Sequence, residues 1–209
     1  MKKIQTTSLI ILLLISGSAR TGQWLVGGSL GMAFGNTRSS ELNNQLTARG
    51  INGVVSGVDD IRKMMQIFAG YEYMPRWRIE LAYVDLGDVE ASFNGTINGI
   101  NDYFTSGQDI YPQTATGWQL SSVYRHSVSG RLQLTGRLGI YNWTTDYTLQ
   151  AATRLQGVSE SGTDLSYGIG LETGRWIMAG GIVGQVNLEH YSINDEAINV
   201  LAVGVSYRF

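Results

Sequence analysis

Large apolar residues recur at every second position through eight separate segments of this chain, and no stretch holds about 18 consecutive apolar residues. A β-strand sends successive side chains to opposite faces, so period-two patterning marks a strand with one apolar and one polar side. The segments are Gln23–Gly35, Lys63–Met74, Trp77–Leu86, Thr116–His126, Arg131–Asn142, Thr163–Thr173, Gly181–Ser192 and Ala197–Phe209. In the second, Met65, Ile67, Ala69, Tyr71 and Tyr73 alternate with Gln66, Gly70 and Glu72. A membrane protein built on apolar helices is thereby excluded.

The links between segments alternate in length. Those after segments two, four and six are short: Pro75-Arg76, Ser127–Gly130 and Gly174–Gly180. Those after one, three and five are long and polar: Asn36–Arg62, Gly87–Ala115 and Trp143–Gly162. Ile193–Glu196 is brief. An even number of antiparallel strands with short turns at one end and long loops at the other is the pattern of outer-membrane barrels. The expected fold is all-β: an eight-stranded antiparallel transmembrane β-barrel with short periplasmic turns and long extracellular loops, in the bacterial cell outer membrane.

Alternation alone does not separate this from a soluble barrel with its apolar face inside. Aromatic residues decide for lipid. Trp24, Tyr73, Trp77, Tyr124, Tyr207 and Phe209 fall near the short-turn ends, and Tyr83, Trp118 and Trp143 near the long-loop ends. Trp and Tyr favour a membrane–water interface, where the ring is in apolar surroundings and its polar atom stays wet. The opposite face carries charges of both signs: Glu72, Glu80, Glu172 and Glu189 with Arg78, Arg125, Arg131, Arg137 and Arg208. Unpaired charge at membrane depth is costly, so these groups are expected to point inward and pair, filling the narrow interior of an eight-stranded barrel. Strands of 10–13 residues match a tilted span.

Composition narrows the remaining classes. A net charge of −2 gives no electrostatic support to nucleic-acid binding. The absence of cysteine excludes a disulfide framework and thiolate metal sites, and two histidines make a His-rich metal site a poor expectation. No metal or cofactor is expected. Residues 1–19 have the form of a signal peptide: Lys2 and Lys3, an apolar run from Leu9 to Ile15, and Gly17-Ser18-Ala19 before the cleavage point. Residues 20–209 then form one barrel domain with a charge of −4.

Several stretches resemble the OmpA-like outer-membrane barrels. They are Gly70–Tyr73 with Trp77–Gly87, Gly136–Trp143, and Leu188–Tyr191 followed by Val203–Phe209. The likeness extends over nearly all of the mature chain. It implies that Tyr207-Arg208-Phe209 is the terminal signal bound by the barrel-assembly machinery, and that interior ion pairs plug the lumen. The periplasmic peptidoglycan-binding domain of the full-length relatives is not part of this sequence, so their tethering role is not implied.

The expected function is a structural, non-enzymatic barrel that contacts outer-membrane lipid and lipopolysaccharide and displays loops for interaction or adhesion. Ile51, Val54, Val55, Phe93, Tyr103, Phe104 and Tyr111 are the apolar loop residues available to a surface ligand. Asp59-Asp60 and Asp85/Asp88 lack calcium-loop spacing. Two rivals stand beside this expectation. One is a narrow ion-conducting pore. The other is a lipid A-modifying enzyme using His190 as base, Ser192 as nucleophile and Asp195 or Glu196 as the acid. His126 reads as an interface residue.

Overall fold

Ten strands form where the alternation predicts eight, because two more pair with each other inside the long connections. The structure is a computed structural model and describes residues 22–35, 43–44, 47–48, 53–59, 61–88, 90–95, 115–151, 154–173, 181–193 and 196–209. In chain order the strands are β1 (Gln23–Phe34), β2 (Gly53–Asp59), β3 (Ile61–Met74), β4 (Trp77–Asp85) and β5 (Glu90–Gly95). They continue with β6 (Thr116–Ser129), β7 (Leu132–Ala151), β8 (Arg154–Thr173), β9 (Ile182–Ile193) and β10 (Glu196–Arg208). The expected signal segment 1–19, the link Gly174–Gly180, and Ile51, Asp60, Tyr103, Phe104, Tyr111 and Asp195 lie outside the described residues.

Eight of these strands close on themselves in the order β1-β10-β9-β8-β7-β6-β4-β3, every neighbour antiparallel. β1 seals the cylinder by pairing on both edges: Leu25 is level with Gly70 of β3 and with Arg208 of β10. Residues level with one another share a face, so the sequence alternation becomes an inside and an outside of the whole barrel. Along β3, exposed and buried residues alternate strictly from Ile61 to Gly70. The outer face is aliphatic, with Leu30 64% exposed and Leu138 62%. A band of this kind around the full circumference is stable only against lipid. Among the described residues no helix is long and apolar enough to cross a membrane. The strands make the crossing.

Two connections are built differently from expectation. Trp143–Gly162 is not a loop, because β7 and β8 remain paired without a break from Leu132–Thr173 to Ala151–Arg154. Residues 144–151, Thr-Thr-Asp-Tyr-Thr-Leu-Gln-Ala, lose the apolar alternation but keep residues that favour extended backbone. Hydrophobic periodicity ends where a strand leaves lipid; hydrogen bonding need not. The first and second long connections also carry structure, β2 pairing β5 with a shift between Val55 and Gly57. Likewise β6 runs to Ser129, which shortens the link to β7 to Gly130-Arg131.

Tight turns at the other end depend on backbone detail. Gly181, ahead of β9, has φ of +87°, a conformation that side chains with Cβ rarely adopt. A Cβ there would also meet the Arg208 carbonyl oxygen at 2.5 Å. That closeness lets the Gly181 carbonyl accept a hydrogen bond from Arg208 N at 3.0 Å.

Leu81 is exposed at the middle of β4, between Trp77 and Tyr83, level with Leu120 and Ala69. Leu81→Arg should destabilise the barrel by about 2–4 kcal/mol, the cost of a cation near the bilayer midplane. Urea unfolding in phospholipid vesicles measures this. Unchanged stability would mean that lipid does not touch this face.

Candidate functional site

The polar residues of the inner parity meet in the lumen and form one continuous chain of charge. From the turn end, Arg125 Nη2 donates to Glu72 Oε2 at 2.6 Å, and Glu72 Oε1 lies 3.0 Å from Arg208 Nε. Arg208 Nη2 donates to Glu172 Oε2 at 3.1 Å, and Glu172 Oε1 lies 2.5 Å from Arg78 Nη2. Arg78 Nε donates to Glu80 Oε1, whose partner oxygen Oε2 lies 2.7 Å from Arg137 Nη2. Arg137 Nη1 lies 3.2 Å from Glu189 Oε1, and Tyr191 Oη ends the chain by donating to Glu189 Oε2 at 2.7 Å.

Four arginines thus alternate with four glutamates, and the formal charge of the set is zero. Every carboxylate oxygen has a partner. In each glutamate one oxygen accepts an aligned hydrogen bond, while the other is held by charge without hydrogen-bond alignment. Arg125 Nη2 also reaches the Pro75 carbonyl oxygen at 3.3 Å, which ties the chain to the β3–β4 turn. Sharing each carboxylate between two donors offsets the desolvation of burying these ions. Space for the long side chains comes from glycine: Gly168 is level with both Arg137 and Glu189, and a Cβ there would lie 2.9 Å from Glu189 Cγ.

A neutral relay crosses the lumen beside this chain. Ser29 Oγ donates to Gln66 Oε1 at 3.0 Å, Gln66 Nε2 to Gln119 Oε1 at 3.1 Å, and Gln119 Nε2 to Ser166 Oγ at 3.0 Å. Toward the loop end the interior turns apolar and aromatic. Tyr141 and Tyr191 meet edge to face at 5.2 Å, with Leu86, Ile193 and Ile198 in the same buried cluster. Tyr141 Oη donates to the Val84 carbonyl oxygen at 3.3 Å.

Two expected site residues lie elsewhere. Arg131, expected in the lumen, is exposed in the turn before β7. It follows the parity of Gln133 but precedes the barrel wall. Trp143, expected at the membrane interface, is 1% exposed inside the barrel, and its Nε1 donates to Asp164 Oδ2 at 2.7 Å. Its odd number puts it on the inner side of β7 with Arg137 and Tyr141, a signal hidden by taking residue 143 as loop. Sequence reasoning also missed Arg62, buried on β3, and the inner roles of Tyr141 and Tyr191. Each follows from extending the strand parity by one or two steps.

Apart from Trp143, the expected interface aromatics lie on the outer face, most of them in level cross-strand pairs. Toward the turns these are Trp24–Tyr71 and Trp77–Tyr124, each with ring centroids 4.9 Å apart; Tyr207 and Phe209 stack at 6.2 Å. Tyr73 is exposed at the same end. Toward the loops, Tyr83 faces Trp118 at 5.4 Å and Tyr167 stacks on His190 at 4.7 Å. His190 Nδ1 is 2.9 Å from Asn199 Oδ1. Among the described residues, this amide, not Ser192, is the hydrogen-bond partner of His190.

Comparison with known proteins agrees with this architecture. A family model described as "Outer membrane protein beta-barrel domain" matches residues 7–209. No curated protein sequence matches the chain. Among solved structures, it is similar to Ail, the attachment invasion locus protein of Yersinia pestis: 14% identity, 90% of this chain and 97% of that one, TM-score 0.50. Neisserial surface protein A aligns at 12% identity over 89% and 97% of the two chains, TM-score 0.50. The outer membrane protein OprG of Pseudomonas aeruginosa aligns at 12% identity over 90% and 96%, TM-score 0.53.

Glu80→Ala would leave both Arg78 and Arg137 without one of their counter-charges, and should lower stability by about 3–5 kcal/mol. Arg131→Ala, in an exposed turn, should stay within about 0.5 kcal/mol of the parent. Urea titrations of the two variants in vesicles check the contrast; equal effects would contradict the placement of either residue.

Proposed function

The chain belongs to the outer membrane protein β-barrel domain family, and on that premise we propose that it is a display barrel, a plugged cylinder that holds its long connections beyond the outer membrane for contact or adhesion. The observation that carries this reading is the filled lumen. The charge chain, the Gln–Ser relay and the aromatic cluster occupy successive parts of the interior. An eight-stranded barrel has little room beyond its own side chains, and here those side chains bond to one another. A solute path would require breaking buried ion pairs.

The function then lies on the connections, which a rigid wall holds at one end. The ladder between β2 and β5 joins the first and second connections, and the β7–β8 hairpin supplies a third raised element. Ail carries attachment in its name, which agrees with a role in contact, although the likeness is one of fold. We further infer that residues 1–19 are a signal peptide and that 20–209 is the mature barrel. Its proposed partners are lipid and lipopolysaccharide at the outer aromatic rings, and the assembly machinery through Phe209. No catalytic step is assigned.

Two measurements test the proposal. In planar bilayers the purified barrel should give no current steps above the empty membrane; steady porin-like steps would favour the pore. Replacing 36–52 and 96–114 with short Gly-Ser links should leave the barrel folded and weaken adherence to cultured cells about tenfold, equivalent to about 1.4 kcal/mol. Undiminished adherence of the trimmed barrel would overturn loop display.

A further inference from the structure

The lipid-facing wall is not finished alike at its two ends. Toward the turns its level outer pairs are ring on ring, Trp24 with Tyr71 and Trp77 with Tyr124. Toward the loops, Tyr167 of β8 is level with His190 of β9, and the tyrosine stacks on the imidazole at 4.7 Å. His190 Nδ1 in turn lies 2.9 Å from Oδ1 of Asn199, the level residue of β10. Tyr167 is 52% exposed and Asn199 is exposed too, among the aliphatic Leu165, Leu188 and Leu201 of the same outer face. An interface ring needs only an amphipathic aromatic side chain. A hydrogen-bonded imidazole and amide on the lipid side go beyond that need.

The atoms left over set the chemistry of the patch. An amide oxygen only accepts, so His190 Nδ1 carries the proton of this bond and the neutral ring presents Nε2 as an acceptor. Asn199 Nδ2 carries two N–H donors. Among the described residues neither Nε2 nor Nδ2 is engaged by another group. The wall also changes at this level. Among the described residues the β8–β9 ladder ends at Ser166–Tyr191, one rung above Tyr167–His190; beyond it β8 is paired to β7 alone and β9 to β10 alone. A headgroup against His190 therefore meets the seam between two hairpins. Along the same rim Lys63 is exposed on β3, level with Met32 of β1, which is level with Leu201 of β10. It places a cation two strands from Asn199.

We propose that this rim is a docking site for the lipid A part of lipopolysaccharide, with His190 and Asn199 at the junction of sugar and acyl chain and Lys63 at a phosphate. The inference rests on the reading that the long connections lie outside the cell, which puts this end of the wall in the outer leaflet. The patch is on the lipid-facing side, so its occupant is a membrane lipid, and hydrogen bonding selects which. A hydroxyacyl amide offers a donor and an acceptor together, matching Nε2 beside Nδ2; the ester region of a glycerophospholipid offers acceptors alone. Phosphates on the sugar supply the negative charge for Lys63. A lysine stem lies along apolar surface while its ammonium stays at headgroup level.

The test uses the full barrel reconstituted in nanodiscs of phosphatidylcholine with equal minor shares of phosphatidylglycerol and lipid A. Native mass spectrometry after detergent release counts the lipids retained. The parent should enrich lipid A over phosphatidylglycerol. Asn199→Leu and His190→Phe should each reduce that enrichment about fivefold, the scale of one hydrogen bond. Phenylalanine keeps a ring against Tyr167, so its effect reports the imidazole nitrogen and not the stacking. Lys63→Gln should cost about fivefold at low salt, the effect of one cation near an anionic surface, and little at high salt. Arg76→Gln, an exposed cation at the turn end, should leave the enrichment unchanged. Retained heat-modifiable migration confirms that the variants fold. Equal retention of the two lipids by the parent, undiminished lipid A in the Asn199→Leu/His190→Phe double variant, or an equal fall in Arg76→Gln overturns the proposal. The nanodisc offers lipid A on both faces, so the result reports the site itself; orientation and loop display are read separately, by adherence to cells.

Discussion

No water is available inside a bilayer to satisfy a peptide group, so each N–H and C=O in the hydrocarbon must find a partner in the protein. For a chain without an apolar helical span, the remaining solution is a sheet with no free edge. β1 provides it by bonding to β3 on one side and to β10 on the other. Once closed, the sheet has an inside and an outside, and the pleat assigns alternate residues to them. The aliphatic outer band and the polar lumen are thus two outcomes of one backbone requirement.

Closure creates a second requirement. The interior is narrow and shielded, so ions placed there must satisfy one another. Alternating Arg and Glu along the lumen does this without surplus charge. Because each glutamate is shared by two donors, removing one member disturbs its neighbours on both sides, and the effects of two such changes will not simply add. Pairs such as Arg125–Glu72 and Arg137–Glu80 join strands distant in sequence. Slipping one strand by a residue would send its charges outward into lipid, so the chain of ions also selects the register.

Strand existence, facing and the inner charges of Glu72, Arg78, Glu80, Arg125, Arg137, Glu172, Glu189 and Arg208 were legible in the sequence, because period two is a local signal. The pairings were not. Which arginine meets which glutamate depends on the stagger between strands, and stagger is set by contacts across the barrel. Local signals also failed where the environment changed. Apolar alternation fades beyond Trp143, which gives it the pattern of an interface ring, yet the β7–β8 ladder persists and turns it inward. Arg131 shared the parity of the inner charges but lies past the last level of wall. Neither Gly53–Asp59 nor Glu90–Gly95 alternates apolar with polar residues, and their pairing was invisible for that reason.

The two ends of the lumen are packed by different chemistry. Ion pairs dominate toward the turns, where Arg125 is tied to Pro75; aromatic and aliphatic packing dominates toward the loops, around Tyr141, Trp143 and Tyr191. Tyr191 belongs to both, touching Tyr141 by its ring and Glu189 by its hydroxyl. Among the described residues, every charged member of this chain comes from a wall strand. A wall that pairs these ions among its own strands is a rigid scaffold for the connections it carries.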